Sequence, residues 1–153
     1  MLTLTRTTSA NADFQVLVAL LDQDLARRDG DDHAFYAQLN TLDQPTRAVL
    51  AYELGQPVGC GAFREHAPGL VEIKRMFVRP AHRGRGIAQA VLAELERWAS
   101  ETGCRGCVLE TGQNQPEAIR LYQKTGYVRI PNYGKYVGVA NSVCFEKSLP
   151  EHS

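Results

Sequence analysis

A surplus of either charge is missing from this chain: 17 Lys and Arg stand against 17 Asp and Glu in 153 residues. Without a net field the chain lacks the long-range attraction used in non-specific binding to nucleic acid or anionic membrane, so neither is expected as a partner. Long apolar runs are missing as well. The first ten residues have no continuous apolar stretch, so neither a signal peptide nor a membrane anchor is read there, and a cytoplasmic location is the default expectation. Cysteine is scarce. Cys60, Cys104, Cys107 and Cys144 are too few and too scattered for a disulfide framework and are read as thiols. Cys104 and Cys107 have redox or zinc spacing but no second Cys or His pair nearby, and the four His residues share no ligand spacing, so no metal is expected. The two common nucleotide motifs are also absent: there is no Gly-Lys-Ser/Thr of a P-loop, and Gln89 stands where a dinucleotide fold would need its third glycine.

What is present is enough apolar matter, 44% of residues, for one core in a chain of one-domain length. A single domain over 1–153 is expected. Alternation of Leu and Thr suggests a strand over 2–7, and Phe14, Leu17, Val18, Leu21 and Leu25 form a helical stripe behind the capping candidates Ser9, Asn11 and Asp13. A weaker helix is read over 34–39. Apolar runs at 47–54 and 58–66 around Gly55-Gln56-Pro57 read as a hairpin, and 70–78 as a further strand. The strongest helix spans 86–101, with Ile87, Val91, Leu95 and Trp98 on one face and Gly103 as its stop. A strand at 107–111, a helix at 116–124 with Pro in its first turn, and strands at 127–130 and 142–147 complete the pattern. Strands occur both singly between helices and in hairpins, so the fold class is α/β: a mixed sheet of six to seven strands with helices on both faces.

The most informative stretch runs from Phe77 and Val78 through Arg83-Gly84-Arg85-Gly86-Ile87-Ala88, a strand turning through glycines and arginines into the strongest helix. Glycines permit close backbone approach, a helix N-terminus offers unpaired N–H groups, and two arginines add charge, so the turn suits a pyrophosphate. A glycine-bearing turn with solvated arginines is the plainer alternative. These residues resemble the acetyl-CoA signature Arg/Gln-x-x-Gly-x-Gly/Ala of the GCN5-related N-acetyltransferases, the GNAT superfamily. Ala118-Ile119-Arg120-Leu121-Tyr122-Gln123-Lys124-Thr125-Gly126-Tyr127 is similar to that family's second signature, with Tyr127 in place of the usual Phe. The resemblance covers roughly residues 49–149.

The resemblance implies strands 70–78 and 107–111 splaying apart, so that backbone groups of Met76 and Val78 pair with the pantetheine arm of acetyl-CoA. The Met76 N–H would then face the thioester carbonyl, and residues 83–88 would hold the pyrophosphate. Either Asn114 or Gln115 would supply an amide that contacts the cosubstrate. Glu72 matches the family's general base, against the alternative of a salt-bridged strand carboxylate; strict alternation places it on the same face as Met76. Tyr122 matches the tyrosine that protonates the departing thiolate, against that of a packed aromatic. The implied reaction is acetyl transfer from acetyl-CoA to a primary amine of a small molecule by direct attack. A protein amine as acceptor, or a non-catalytic acyl-CoA sensor or partner-binding module, is the alternative. The acceptor would meet residues 27–42 and the aromatic loop 130–136. His66 could also enter its site, and a homodimer is compatible with the family.

Overall fold

The computed structural model describes residues 1–29 and 46–150. The short helix expected over 34–39 lies outside them. The sheet strands are β1 (Leu2–Thr8), β2 (Arg47–Glu53), β3 (Gln56–Ala67), β4 (Leu70–Val78), β5 (Gly106–Gly112), β6 (Val128–Ile130) and β7 (Ser142–Ser148). Among the described residues the α-helices are α1 (Ala12–Asp29), α2 (Ile87–Glu101) and α3 (Pro116–Lys124). One seven-stranded sheet runs in the order β1-β2-β3-β4-β5-β7-β6. Its pairs are antiparallel except β4 with β5, which is parallel and bridged by α2, as strand-helix-strand connections require.

Helices cover both faces of this mixed sheet. On one, Phe14, Leu17 and Leu21 of α1 pack on Leu50, Ala62 and Phe77. On the other, Val91, Leu92 and Leu95 of α2 and Tyr122 of α3 close over Val49, Ile73 and Phe145. The periodicity of α2 explains its placement, since residues one turn apart stack on one face. Leu95 is fully buried there, and its replacement by Ala would cost about 2–5 kcal/mol through lost burial and the cavity left behind. Arg6 on β1 donates to Glu94 (2.7 Å) and Glu101 (2.8 Å), fastening the sheet edge to the outer side of α2. The four cysteines are free thiols. Among the described residues no helix is long and apolar enough to cross a membrane, and no His/Cys/Asp/Glu group could hold a metal.

Candidate active site

The site begins where two strands part. β4 and β5 pair from Leu70↔Gly106 to Ile73↔Leu109 and no further, while β4 stays on β3 as far as Gly59↔Val78 and β5 stays on β7 as far as Gly112↔Ser142. The sheet therefore opens between Lys74–Val78 and Glu110–Gly112. A cavity of about 530 Å³, within the usual range for small-ligand sites, occupies the gap. Its walls include Met76 and Val78 on one lip, Glu110 and Thr111 on the other, Ala88 at the start of α2 and Tyr122 on α3.

A bulge sets which side chains reach which half of the cavity. Between β3 and β4 the register slips from Ala62↔Lys74 to Cys60↔Phe77, and Arg75 takes a left-handed backbone (φ +61°), a conformation in which a bulged strand gains one residue. The Arg75 guanidinium is held by Asp22 on α1 at 3.0 Å. Gly61 lies opposite: a Cβ there would sit 2.5 Å from Met76 Sδ and 2.7 Å from Leu95 Cδ1, so only glycine lets Met76 fold across β3. The expectation that Glu72 shares a face with Met76 is therefore overturned. Met76 packs on the α2 side with Ile73, so Glu72 and Lys74, which alternate with Ile73 along the strand, fall on the opposite face, the one α1 covers. Both groups still line the one cavity, because it passes through the opened sheet.

Main-chain direction follows from the same pairing. Phe77 is matched with Cys60 and the Arg79 N–H bonds to Val58 O (2.9 Å), so the intervening Val78, and Met76 before it, direct their backbone groups toward the gap. The Val78 carbonyl accepts a bond from Arg83 Nε at 2.9 Å. Arg83 also approaches Asp24 (3.6 Å) and lies over the Phe77 ring. Gly84 and Gly86 both have positive φ (+79° and +80°) with open space around them, so conformation and not crowding demands glycine; this turn delivers the N-terminus of α2 to the cavity. Ile87 and Ala88 follow on the cavity wall, but Arg85 does not line it and pairs with Glu53 at 2.6 Å. Of the two neighbouring amides, Gln115 reaches the cavity and Asn114 is not among its lining residues.

The titratable groups divide by face. Tyr122 is buried against Tyr127 and Phe145, and desolvation first, then the charge of Glu110, pushes its phenol up, so it is held protonated. Glu72 is 3% exposed: Tyr133 OH donates to one oxygen (2.7 Å), Arg64 Nε to the other (3.3 Å), and Lys74 Nζ stands 3.9 Å away. Lys74 donates to Tyr136 OH at 3.0 Å. Burial pulls its ammonium down to about 8, against the opposing pull of Glu72. Sequence reasoning passed over Lys74 and Glu110 as site residues. The available signal was a lysine and a glutamate inside a strand whose other residues are apolar, since a central strand buries both faces. Of loop 130–136, Tyr136 lines the cavity and Tyr133 packs edge-on against it with ring centroids 5.5 Å apart, while His66 packs on the Tyr133 ring and does not line the cavity.

The family model for the acetyltransferase (GNAT) family matches residues 14–127. The chain belongs to the GNAT family. Among curated GNAT-like relatives, the IAA acetyltransferase of Azospirillum brasilense is 34% identical over 149 residues, covering 94% of this chain and 97% of that protein. A solved structure from Klebsiella pneumoniae, of a proposed acyl-CoA N-acyltransferase, is 32% identical, covers 98% of this chain and 99% of its own, and superposes with a TM-score of 0.82. A proposed acetyltransferase of Salmonella typhimurium, solved with its cofactor acetyl-CoA, shares the fold at 19% identity, with a TM-score of 0.66 over 99% of this chain and 96% of that one. The chain is thus a GNAT N-acetyltransferase that takes acetyl-CoA as donor.

Proposed function

We propose that this GNAT enzyme moves the acetyl group of acetyl-CoA to a primary amine of a small molecule by direct attack on the thioester. The observation that carries the reading is the opening between β4 and β5, where backbone groups of Met76 and Val78 meet one cavity lined from both sides of the sheet. A donor adding itself as a strand would enter from the α2 side, with the backbone of residues 83–88 around its pyrophosphate and the Met76 N–H toward the oxygen that becomes negative during attack. The acceptor would approach from the α1 side, past Glu72, Lys74 and Tyr136. Tyr122, kept protonated by burial, would supply a proton to the departing thiolate.

Sequence left two roles open for Glu72. Its bonds to Tyr133 and Arg64 favour the salt-bridged carboxylate over the general base, and from that position its charge would orient the acceptor's ammonium. A small acceptor is supported by the cavity's size and by a relative named for the small molecule IAA.

The deciding experiment is release of free thiol from acetyl-CoA across a library of amino acids, polyamines, aminoglycosides and peptide N-termini. Turnover of one small amine supports the proposal. Tight binding of acetyl-CoA with no acceptor accelerated would instead favour the sensor reading, and turnover of peptides alone would move the acceptor to proteins.

A further inference from the structure

β4 alternates as far as Lys74, and Arg75 breaks the alternation. Its left-handed backbone (φ +61°) is unfavourable for a residue that carries a side chain, and its guanidinium lies against α1, where Nη1 donates to Asp22 at 3.0 Å. The Arg75 side chain is 10% exposed and lines the cavity, on the side left for the acceptor. Its Nε is buried and has no hydrogen-bond partner among the described residues. Nε–H and one N–H of Nη2 project in parallel from a planar guanidinium, so the edge that can grip two oxygens at once is the edge that Asp22 does not use.

A buried donor without an acceptor costs free energy, so an arginine whose sole task were to fasten α1 would be expected to spend Nε on a nearby carbonyl or carboxylate. Three carboxylates of the cavity wall have other donors: Glu72 is held by Tyr133 and Arg64, Glu110 by Ser142 at 2.7 Å, and Asp24 by Arg27 at 2.6 Å. Resting on the amine-acetylation reading above, we propose that the acceptor carries, besides its amine, an oxyanion group, a carboxylate or a phosphonate, which Arg75 binds through Nε and Nη2.

The assignment sorts the two ends of the acceptor. Glu72 attracts the ammonium and Arg75 the oxyanion, and the two line the same cavity three residues apart on one strand, so the molecule is held by its charges at two points. Asp22, 44% exposed, is a positioning residue that fixes the guanidinium plane and takes up part of its charge. Arginine suits this task better than lysine, because a planar fork matches two oxygens and a point charge does not. Amino acids meet both demands of the site. Polyamines and aminoglycosides, cationic throughout, meet one.

The test compares thiol release from acetyl-CoA with matched amines, namely amino acids, their carboxamides, aminoalkylphosphonates and the decarboxylated amines, for wild type, R75Q, R75K and D22N. In wild type the oxyanion members should have KM values about tenfold or more below those of the carboxamides and plain amines. R75Q should raise KM for the oxyanion members roughly ten- to a hundredfold with kcat largely kept, and raise it far less for the carboxamides, as the loss of a charge-assisted bond to one part of the substrate does. R75K keeps the charge without the fork and should recover only part of the preference. D22N should lower KM for the oxyanion members a few-fold by removing a competing carboxylate, and it carries the test if a thermal shift with acetyl-CoA shows R75Q unfolded. Whichever oxyanion has the lower KM tells carboxylate from phosphonate. The inference is overturned if wild type shows no preference, if R75Q weakens acid and carboxamide alike, or if D22N fails to lower KM. If acetyl-CoA binds and no amine is turned over, the parent reading fails instead. The 15Nε–H signal of Arg75, assigned by its absence in R75K, then decides the inference, which falls if neither acetate nor methylphosphonate shifts it.

Discussion

Glu72 and Met76 lie four residues apart on one strand, yet their side chains stand on opposite faces of the sheet, because Arg75 between them adopts φ +61° and adds a residue to the count. The chain thus presents a donor-side backbone and an acceptor-side carboxylate from one segment. The device depends on Gly61, whose missing side chain leaves room for Met76. Gly61→Ala should destabilise the protein by about 1–3 kcal/mol, as overpacking does. It should also raise the KM for acetyl-CoA by displacing Met76. A thermal melt and initial rates check both; a wild-type melting temperature would show that Met76 can move without cost.

Tyr122→Phe retains the ring that packs on Tyr127 and Phe145 and removes only the hydroxyl. If the phenol protonates the thiolate, turnover should fall roughly a hundredfold or more. Acetyl-CoA affinity should be preserved, as measured by calorimetry. Turnover within about twofold of wild type would return Tyr122 to packing.

The two arginines of the glycine turn should separate. Arg83 lines the cavity and Arg85 is paired away with Glu53. Arg83→Ala should therefore raise the KM for acetyl-CoA with turnover largely kept, since a pyrophosphate is remote from the reacting carbon. Arg85→Ala should change it less. Equal effects would mean that Arg85 leaves Glu53 when the donor binds.

Lys74 also leaves a mark on stability. Its folded value, about 8, lies below the ordinary 10.5, so between these pH values the unfolded chain binds more protons and stability rises with pH. Below pH 8 the cost of the buried charge is fully present, on the order of 3 kcal/mol from the size of the shift. The thiols of Cys60 and Cys107, pushed up by burial to about 12, act oppositely above pH 9. The readout is therefore the difference between K74M and wild type. K74M should be the more stable at pH 7, with the gap closing toward pH 10. A gap independent of pH would show that Lys74 is not neutralised by burial.

Much of the fold was legible in the sequence because its elements carry their own punctuation. The 70–78 strand ends at Arg79-Pro80 and the 116–124 helix opens on Pro116, and both keep the expected bounds. In α2 the apolar stripe and Gly103 fix the face and the end. The bulge was not legible: alternation counts residues, and nothing in Lys74-Arg75-Met76 announces that one residue will be skipped, since arginine is a poor left-handed residue. The partner glycine at 61 was the cue, but it acts through a neighbouring strand whose register the sequence does not give. The tie between Arg85 and Glu53 escaped for the same reason, joining groups 32 positions apart.

Opening a sheet to admit a ligand also exposes two strand edges, and unpaired edges are templates for pairing with other chains. In this protein the Val78 carbonyl on one lip is covered by the chain's own Arg83. That acceptor is thereby kept from a foreign strand, and what covers it is a single side chain. Arg83→Ala should self-associate in a concentration-dependent way by light scattering, and acetyl-CoA should suppress it. The same gap would then set both what the enzyme binds and how well it stays a separate molecule when its substrate runs short.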